Sequence, residues 1–128
     1  MVRPEADTDK ALQLRGDFHS AVHELLTPDV FPIEVTHAIT RAERQGRITP
    51  AEGAVFVYDL LQNCPLLHST FTLLPRAYDI SSQLRIGVYD CLYVALAEHE
   101  SCDLVTTDDK LIKKLQKQFP FIRHLADI

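Results

Sequence analysis

Apolar residues along the chain alternate between the spacing of amphipathic helices and short apolar runs that are typical of buried strands. The helical spacing predicts a helix after Asp7 or Thr8 with Ala11, Leu14, Phe18 and Val22 inward, a helix from Ile33 that stops at Gly46, and helices over Pro50–Cys64, Leu74–Leu84, Tyr89–His99 and Asp109–Gln118. The short runs predict strands at Glu24–Thr27, Leu66–Ser69, Asp103–Thr107 and Phe121–Arg123. Strands that alternate with helices pair in parallel between two helix layers, so we predict a three-layer α/β/α fold with a short parallel sheet.

One of these helix starts carries a specific local signal. Thr49 and Glu52 have the spacing of a capping box, in which each side chain satisfies the other residue's backbone N–H. Pro50 stands at the first helical position, where no N–H donor is needed. This helix boundary therefore rests on local chemistry as well as on periodicity.

Length and charge narrow the class of protein. The 128 residues suit one domain, 1–128. Because 13 Lys and Arg against 18 Asp and Glu leave a net charge of −5, binding of nucleic acid would need a local basic patch. No apolar run reaches the roughly 18 residues that cross a bilayer, and the amino terminus lacks the apolar core of a secretory signal. Three cysteines without metal-binding spacing are typical of buried free thiols in a reducing compartment. We therefore expect a cytoplasmic protein with no membrane segment.

Three carboxylates are expected at one edge of the sheet. Glu34 starts the helix after the first strand, and Asp108 directly follows the strand Asp103–Thr107. Asp90 opens a helix that must run back along that strand, and its apolar surroundings would partly desolvate the carboxylate unless it is paired. Ligands of parallel sheets bind at the carboxyl ends of the strands. Clustered oxygen donors without Cys or His select Mg²⁺ or Mn²⁺, and such an ion can activate water against a phosphodiester.

Each acid also has a purely structural interpretation. Asp90 and Glu34 could act as first-turn acids that interact favourably with a helix dipole, and Asp108 could cap the helix that begins at Asp109. The shared sheet edge is what favours the metal site over three unrelated caps.

Three segments then resemble the motifs of a known family: FPIEVTHAI, YDCLYVALA and LVTTDDKL, in this order and at ordinary spacing. They are similar to the PIN domain, in the branch of VapC-type toxins. The resemblance implies a five-stranded parallel sheet, a homodimer, an RNA substrate, an antitoxin protein partner and a Mg²⁺- or Mn²⁺-dependent endoribonuclease site, which makes the protein a hydrolase of a toxin–antitoxin system. It also implies that Glu34, Asp90 and Asp108 are the catalytic and metal-binding acids and that Thr106 supports them.

Two departures from the family pattern accompany this resemblance. PIN domains open with a strand that carries a metal-binding Asp, whereas this sequence begins at about a later segment, so we expect a PIN-like domain truncated at its amino terminus. Either the sequence starts at an internal Met, or the protein is a degenerate member that binds RNA or protein without cutting. His37 stands where relatives usually carry Asn, and it could orient Glu34, contact phosphate or face solvent.

Basic residues gather on the last predicted helix. Lys110, Lys113, Lys114 and Lys117 are spaced to form one stripe beside Asp108. The stripe could follow RNA phosphates toward the acids, or it could be the solvated face of an amphipathic helix.

Overall fold

The computed structural model describes residues 25–127, so the helix predicted around Ala11 to Val22 lies outside the described residues. The described residues form five α-helices and four short β-strands. In chain order these are β1 (Leu26–Pro28), α1 (Phe31–Arg44), α2 (Pro50–Gln62), β2 (Leu66–His68), α3 (Thr70–Leu84), α4 (Val88–Glu100), β3 (Leu104–Thr106), α5 (Asp109–Leu115), β4 (Ile122–His124) and a terminal 3₁₀ turn (Leu125–Asp127). The predicted alternation of strands and helices is confirmed over this part of the chain.

The chain divides into two compact units, and the first spans Leu26–Thr70. Within it, β1 and β2 pair in parallel, with Leu26 opposite Leu66 and Pro28 opposite His68. Pro28 is the last residue of β1, so the strand runs one residue beyond its predicted end at Thr27. The carboxyl ends of the two strands are also tied together, because the backbone N–H of Asp29 donates to the His68 carbonyl at 2.8 Å.

Helices α1 and α2 pack on each other in this first unit, and the buried Gly53 of α2 faces side chains of α1. A Cβ atom at Gly53 would meet the Glu43 carboxylate and would lie 3.3 Å from a methyl group of Ile39. A larger residue at this position would require the Glu43 side chain to move.

The predicted stop of α1 at Gly46 and the predicted start of α2 at Pro50 are confirmed, whereas α1 begins at Phe31 rather than Ile33 and α2 ends at Gln62 rather than Cys64. Gly46 follows α1 with a φ of +71°, a left-handed conformation that glycine adopts without strain. At the start of α2 the Thr49 hydroxyl accepts from the Glu52 N–H at 3.1 Å, and the Glu52 carboxylate accepts from the Thr49 N–H at 3.0 Å. The hydrogen bonds from Thr49 lower the pKa of Glu52.

The second unit contains the chain from Phe71 onward. Strands β3 and β4 pair in parallel, with Leu104 opposite Ile122 and Thr106 opposite His124. Helix α4 packs on β3 and α5 packs on β4. The core is formed by apolar side chains of α3, α4, α5, β4 and the segments on either side of β4, namely Leu73, Ala77, Ile80, Cys91, Leu92, Val94, Ala95, Leu96, Ala97, Leu111, Leu115, Phe119, Ile122 and Leu125.

Helix α4 is buried over its middle part, residues 91–97, where every residue except the half-buried Tyr93 is buried, and both of its ends are exposed. A partly exposed arginine of α3 contacts both α4 and the segment after α5. The Arg76 guanidinium donates to both Glu98 carboxylate oxygens, at 2.7 and 3.1 Å, and lies 5.7 Å from the centre of the Phe119 ring. This pair lowers the pKa of Glu98.

Some predicted boundaries and burial states were wrong. Helix α3 begins at Thr70 rather than at Leu74 and includes Pro75, a residue that has no N–H to donate within the helix. Cys91 is a buried free thiol as predicted, but Cys64 is half-buried and Cys102, which follows α4, is exposed. No helix within residues 25–127 is long and apolar enough to span a bilayer.

Candidate functional site

Asp108 is held rigidly at the carboxyl end of β3. Its Oδ1 atom accepts from the backbone N–H groups of Lys110 at 3.0 Å and Leu111 at 3.2 Å, so the residue is the N-cap of α5. The Thr106 hydroxyl, on a residue only 5% exposed, accepts from the Asp108 N–H at 3.0 Å. The capping role considered for Asp108 is therefore present, and both capping bonds use the same oxygen.

Asp90 lies in the first turn of α4, in the same unit as Asp108. The residue is exposed, so the expected partial desolvation of its carboxylate was wrong: the buried face of α4 begins one residue later, at Cys91. Burial raises the pKa of the Cys91 thiol, and the nearby Asp90 carboxylate raises it further. The chain reverses at Ser101, which has a φ of +52°, before it enters β3. A helix that returns along a strand in this way starts toward the carboxyl end of that strand.

Glu34 lies in the first turn of α1 and is half-buried. It belongs to the unit Leu26–Thr70, where it follows the carboxyl end of β1. The backbone N–H of Glu34 donates to the Val30 carbonyl at 3.0 Å, which places it at the start of the helical ladder. Two of the three predicted acids therefore share one unit, and the third stands at a corresponding strand-to-helix connection in the other.

His37 is exposed on α1, which agrees with the interpretation that its side chain faces solvent. Its backbone carbonyl accepts from the Thr40 hydroxyl at 3.0 Å.

His124 lies at the carboxyl end of β4, beside the end of β3, and was not predicted as a site residue. It is the last residue of β4 and lies directly opposite Thr106 in the parallel register. Its Nδ1 accepts from the Ala126 N–H at 2.9 Å, and in the neutral ring this leaves the proton on Nε2, which lies 3.5 Å from an Asp109 carboxylate oxygen. The predicted strand ended at Arg123 and so left His124 out of the sheet. The sequence signal for including it was its position directly before the terminal Leu-Ala-Asp turn.

The lysines of α5 are exposed, whereas Leu111 and Leu115 face the core. The amphipathic pattern predicted for this helix is confirmed, although the helix ends at Leu115 rather than at Gln118 and Lys117 lies in the turn that follows. The lysines begin two residues after Asp108, so acidic and basic groups occupy neighbouring positions at the start of α5.

Comparison with known proteins identifies the family. The model of the PIN domain matches residues 1–117. The chain belongs to the PIN domain family. The resemblance inferred from the three sequence motifs is thereby confirmed, and so is the fold class, because helices and short parallel strands in this order fit the three-layer α/β/α fold.

Several curated proteins are similar to this PIN domain. Ribonuclease VapC3 of Mycobacterium tuberculosis (strain CDC 1551 / Oshkosh) is 35% identical over 86 residues, which are 67% of this chain and 61% of that protein. Ribonuclease VapC3 of Pyrobaculum aerophilum is 31% identical over 97 residues, 74% of each chain. VapC ribonuclease Mb0985 of Mycobacterium bovis is 29% identical over 100 residues, 78% of this chain and 77% of that protein. The chain thus spans less than two thirds of the length of the mycobacterial VapC3 proteins that it matches.

Proposed function

We propose that the protein is a VapC-type endoribonuclease that hydrolyses RNA phosphodiester bonds with the help of Mg²⁺ or Mn²⁺. The observation that carries this proposal is the fixed position of Asp108 at the carboxyl end of β3, where Thr106 and two backbone donors of α5 hold it. Membership of the PIN family and similarity to proteins named ribonucleases support the reaction type.

The residues present suit a hard divalent cation. Asp108 uses Oδ1 for both capping bonds, so Oδ2 can face a ligand while the residue stays in place. Asp90 is exposed on the same unit, and Glu34 is a first-turn acid of the other unit. A donor set made of carboxylate oxygens matches the preference of Mg²⁺ and Mn²⁺.

In the proposed mechanism Glu34, Asp90 and Asp108, the acids that the family resemblance implies, would hold the ion. The roles of the remaining groups follow from their contacts. When bound, a divalent cation lowers the pKa of a water molecule and neutralises charge that develops on the phosphodiester. The buried Thr106 hydroxyl keeps Asp108 from turning away, because it holds the backbone N–H that precedes the carboxylate. The capping bonds limit rotation of the side chain itself, so a ligand oxygen is ready before substrate arrives.

A second candidate function is a PIN-like module that binds without cutting, through a homodimer or an antitoxin-like protein. The observation that favours it is the exposed apolar surface of α2, where Val55, Tyr58 and Leu61 are 66%, 67% and 69% exposed. Contiguous apolar side chains on a surface are typical of protein interfaces. A nuclease that also pairs with an antitoxin would use the same surface, so cleavage is the property that separates the two functions.

A cleavage assay on single-stranded RNA tests the proposal. The chain is incubated with Mn²⁺, with Mg²⁺ or with EDTA, alongside Asp90→Asn, Asp108→Asn and Glu34→Gln variants. Asp109→Asn is the matched control, because Asp109 is an acid of the same helix start whose side chain is 86% exposed. We expect cleavage that requires the metal, survives in the control and is lost in the other three variants.

Metal-independent cleavage, or equal activity in all four variants, would overturn this assignment of the acids. Absence of cleavage together with a stable dimer in sedimentation would favour the binding module.

A further inference from the structure

The strongest local concentration of positive charge in the described chain lies on α5 and the turn that follows it. Lys110, Lys113, Lys114 and Lys117 are all exposed, and we call them the lysine face. At about 100° per residue the four side chains fall within a sector of about 100°, away from the buried Leu111 and Leu115. The helical path continues to the turn, since the Gln116 N–H donates to the Ile112 carbonyl at 2.9 Å. The face is therefore about 10 Å long.

The lysine face stands out against the charge of the whole protein. The chain is acidic, with a net charge of −5, yet these positions hold four of its 13 basic residues within eight consecutive positions, 110–117, that contain no acid. None of the four ammonium groups forms an ion pair with another residue of the described chain, 25–127. Cations that neutralise no neighbouring carboxylate remain available to an external anion.

Its position connects the face to Asp108. The backbone N–H of Lys110 donates to the Asp108 carboxylate, so the first lysine of the face is adjacent to the proposed metal ligand. The other three lie successively farther along the same helix and its turn. A polyanion bound along this face would have one of its phosphates near the acids.

We propose that the lysine face binds the phosphates of single-stranded RNA and leads the strand to Asp108. This proposal rests on the proposed ribonuclease function, for which it names the surface that binds substrate. The four lysines contact phosphate as exposed point charges, so binding is independent of base sequence. Each contact releases counterions, and for single strands the logarithm of the binding constant falls with the logarithm of salt concentration by about 0.7 per phosphate contact.

The test is fluorescence anisotropy of labelled single-stranded RNA with the full chain, in EDTA so that no cleavage occurs. The variant is Lys110→Gln with Lys114→Gln, two positions one helical turn apart on the same face. Lys110 is near the positive end of the helix and Lys114 near the negative end, so their interactions with the helix dipole oppose each other and the fold should be kept. Circular dichroism of the variant checks this. The control is Arg44→Gln with Arg47→Gln, the same change of charge at exposed positions of the other unit.

We expect the lysine variant to reduce the salt slope by about 1.4 and to weaken binding about 25-fold at about 0.1 M salt, while the control changes little. Equal effects of the two variants would show that only net charge matters and would overturn the proposal, as would unchanged binding by the lysine variant. The binding assay without metal is separate from the cleavage assay. If RNA binds through the lysines but is not cut, the ribonuclease proposal fails and the proposal for the lysine face stands. If the lysine variant cuts RNA as well as the native protein does, the proposal for the lysine face fails and the ribonuclease proposal stands.

Discussion

Asp108 allows the capping role and the metal-binding role of one carboxylate to be separated. Asp108→Ala removes the acceptor of two backbone donors, which lie 3.0 and 3.2 Å from Oδ1. Loss of such an N-cap costs about 1 kcal/mol, or roughly 4 °C in the melting temperature of a chain of this size. Asp108→Asn keeps an oxygen at the same place and loses only the interaction of the charge with the helix dipole, worth about 0.5 kcal/mol.

The metal-binding role predicts a different pattern of unfolding free energies for the native protein and the same two variants. A cation at ten times its dissociation constant stabilises the folded state by about 1.4 kcal/mol, provided that it does not bind the unfolded chain. We expect Mn²⁺ to stabilise the native protein, whereas Asp108→Asn and Asp108→Ala respond little, because both lack the anionic oxygen. Without metal, we expect the unfolding free energy to fall from the native protein to Asp108→Asn and then to Asp108→Ala. With Mn²⁺, we expect the native protein to be clearly more stable than both variants.

Urea unfolding followed by circular dichroism, with Mn²⁺ and with EDTA, measures both effects in one experiment. The control is Asp109→Asn, which changes the same charge one residue later, on a side chain that is 86% exposed. Asn and Ala variants of equal stability in EDTA would refute the capping argument. Full stabilisation of Asp108→Asn by Mn²⁺ would refute the assignment of Asp108 as a metal ligand.

Two further predictions concern the unit that begins at Phe71. Because Arg76 lowers the pKa of Glu98, the stability that this pair contributes is present above the ordinary pKa of 4.5 and is lost as pH falls through the lowered value. For so exposed a pair, the difference in unfolding free energy between the native protein and Arg76→Gln is below about 1 kcal/mol. This difference should shrink when urea titrations are repeated at decreasing pH. Iodoacetamide should modify Cys102 in the folded protein and Cys91 only after unfolding, as read by mass spectrometry, since Cys102 is exposed and Cys91 is fully buried. Partial burial, with the Glu100 and Asp103 carboxylates, raises the pKa of Cys102, so its modification should be slow near neutral pH.

Features that depend on a few consecutive residues could be predicted from the sequence. The capping box of Thr49 and Glu52, the glycine stop at Gly46 and the cap by Asp108 each involve groups within four positions of one another, so residue types and spacing suffice. Parallel pairing followed from the alternation of elements, because short connections leave few other ways to bury the strands.

Features that depend on contacts between distant segments could not be predicted in this way. His124 lies opposite Thr106 because strands β3 and β4 adopt one register, and a shift of a single residue in a predicted strand end was enough to hide it. Asp90 is exposed although its segment is apolar, because packing of α4 begins at the next residue. Spacing along the chain decides which backbone groups are close enough to bond locally, whereas the surroundings of a side chain depend on which remote segments pack around it, and that is a property of the folded molecule.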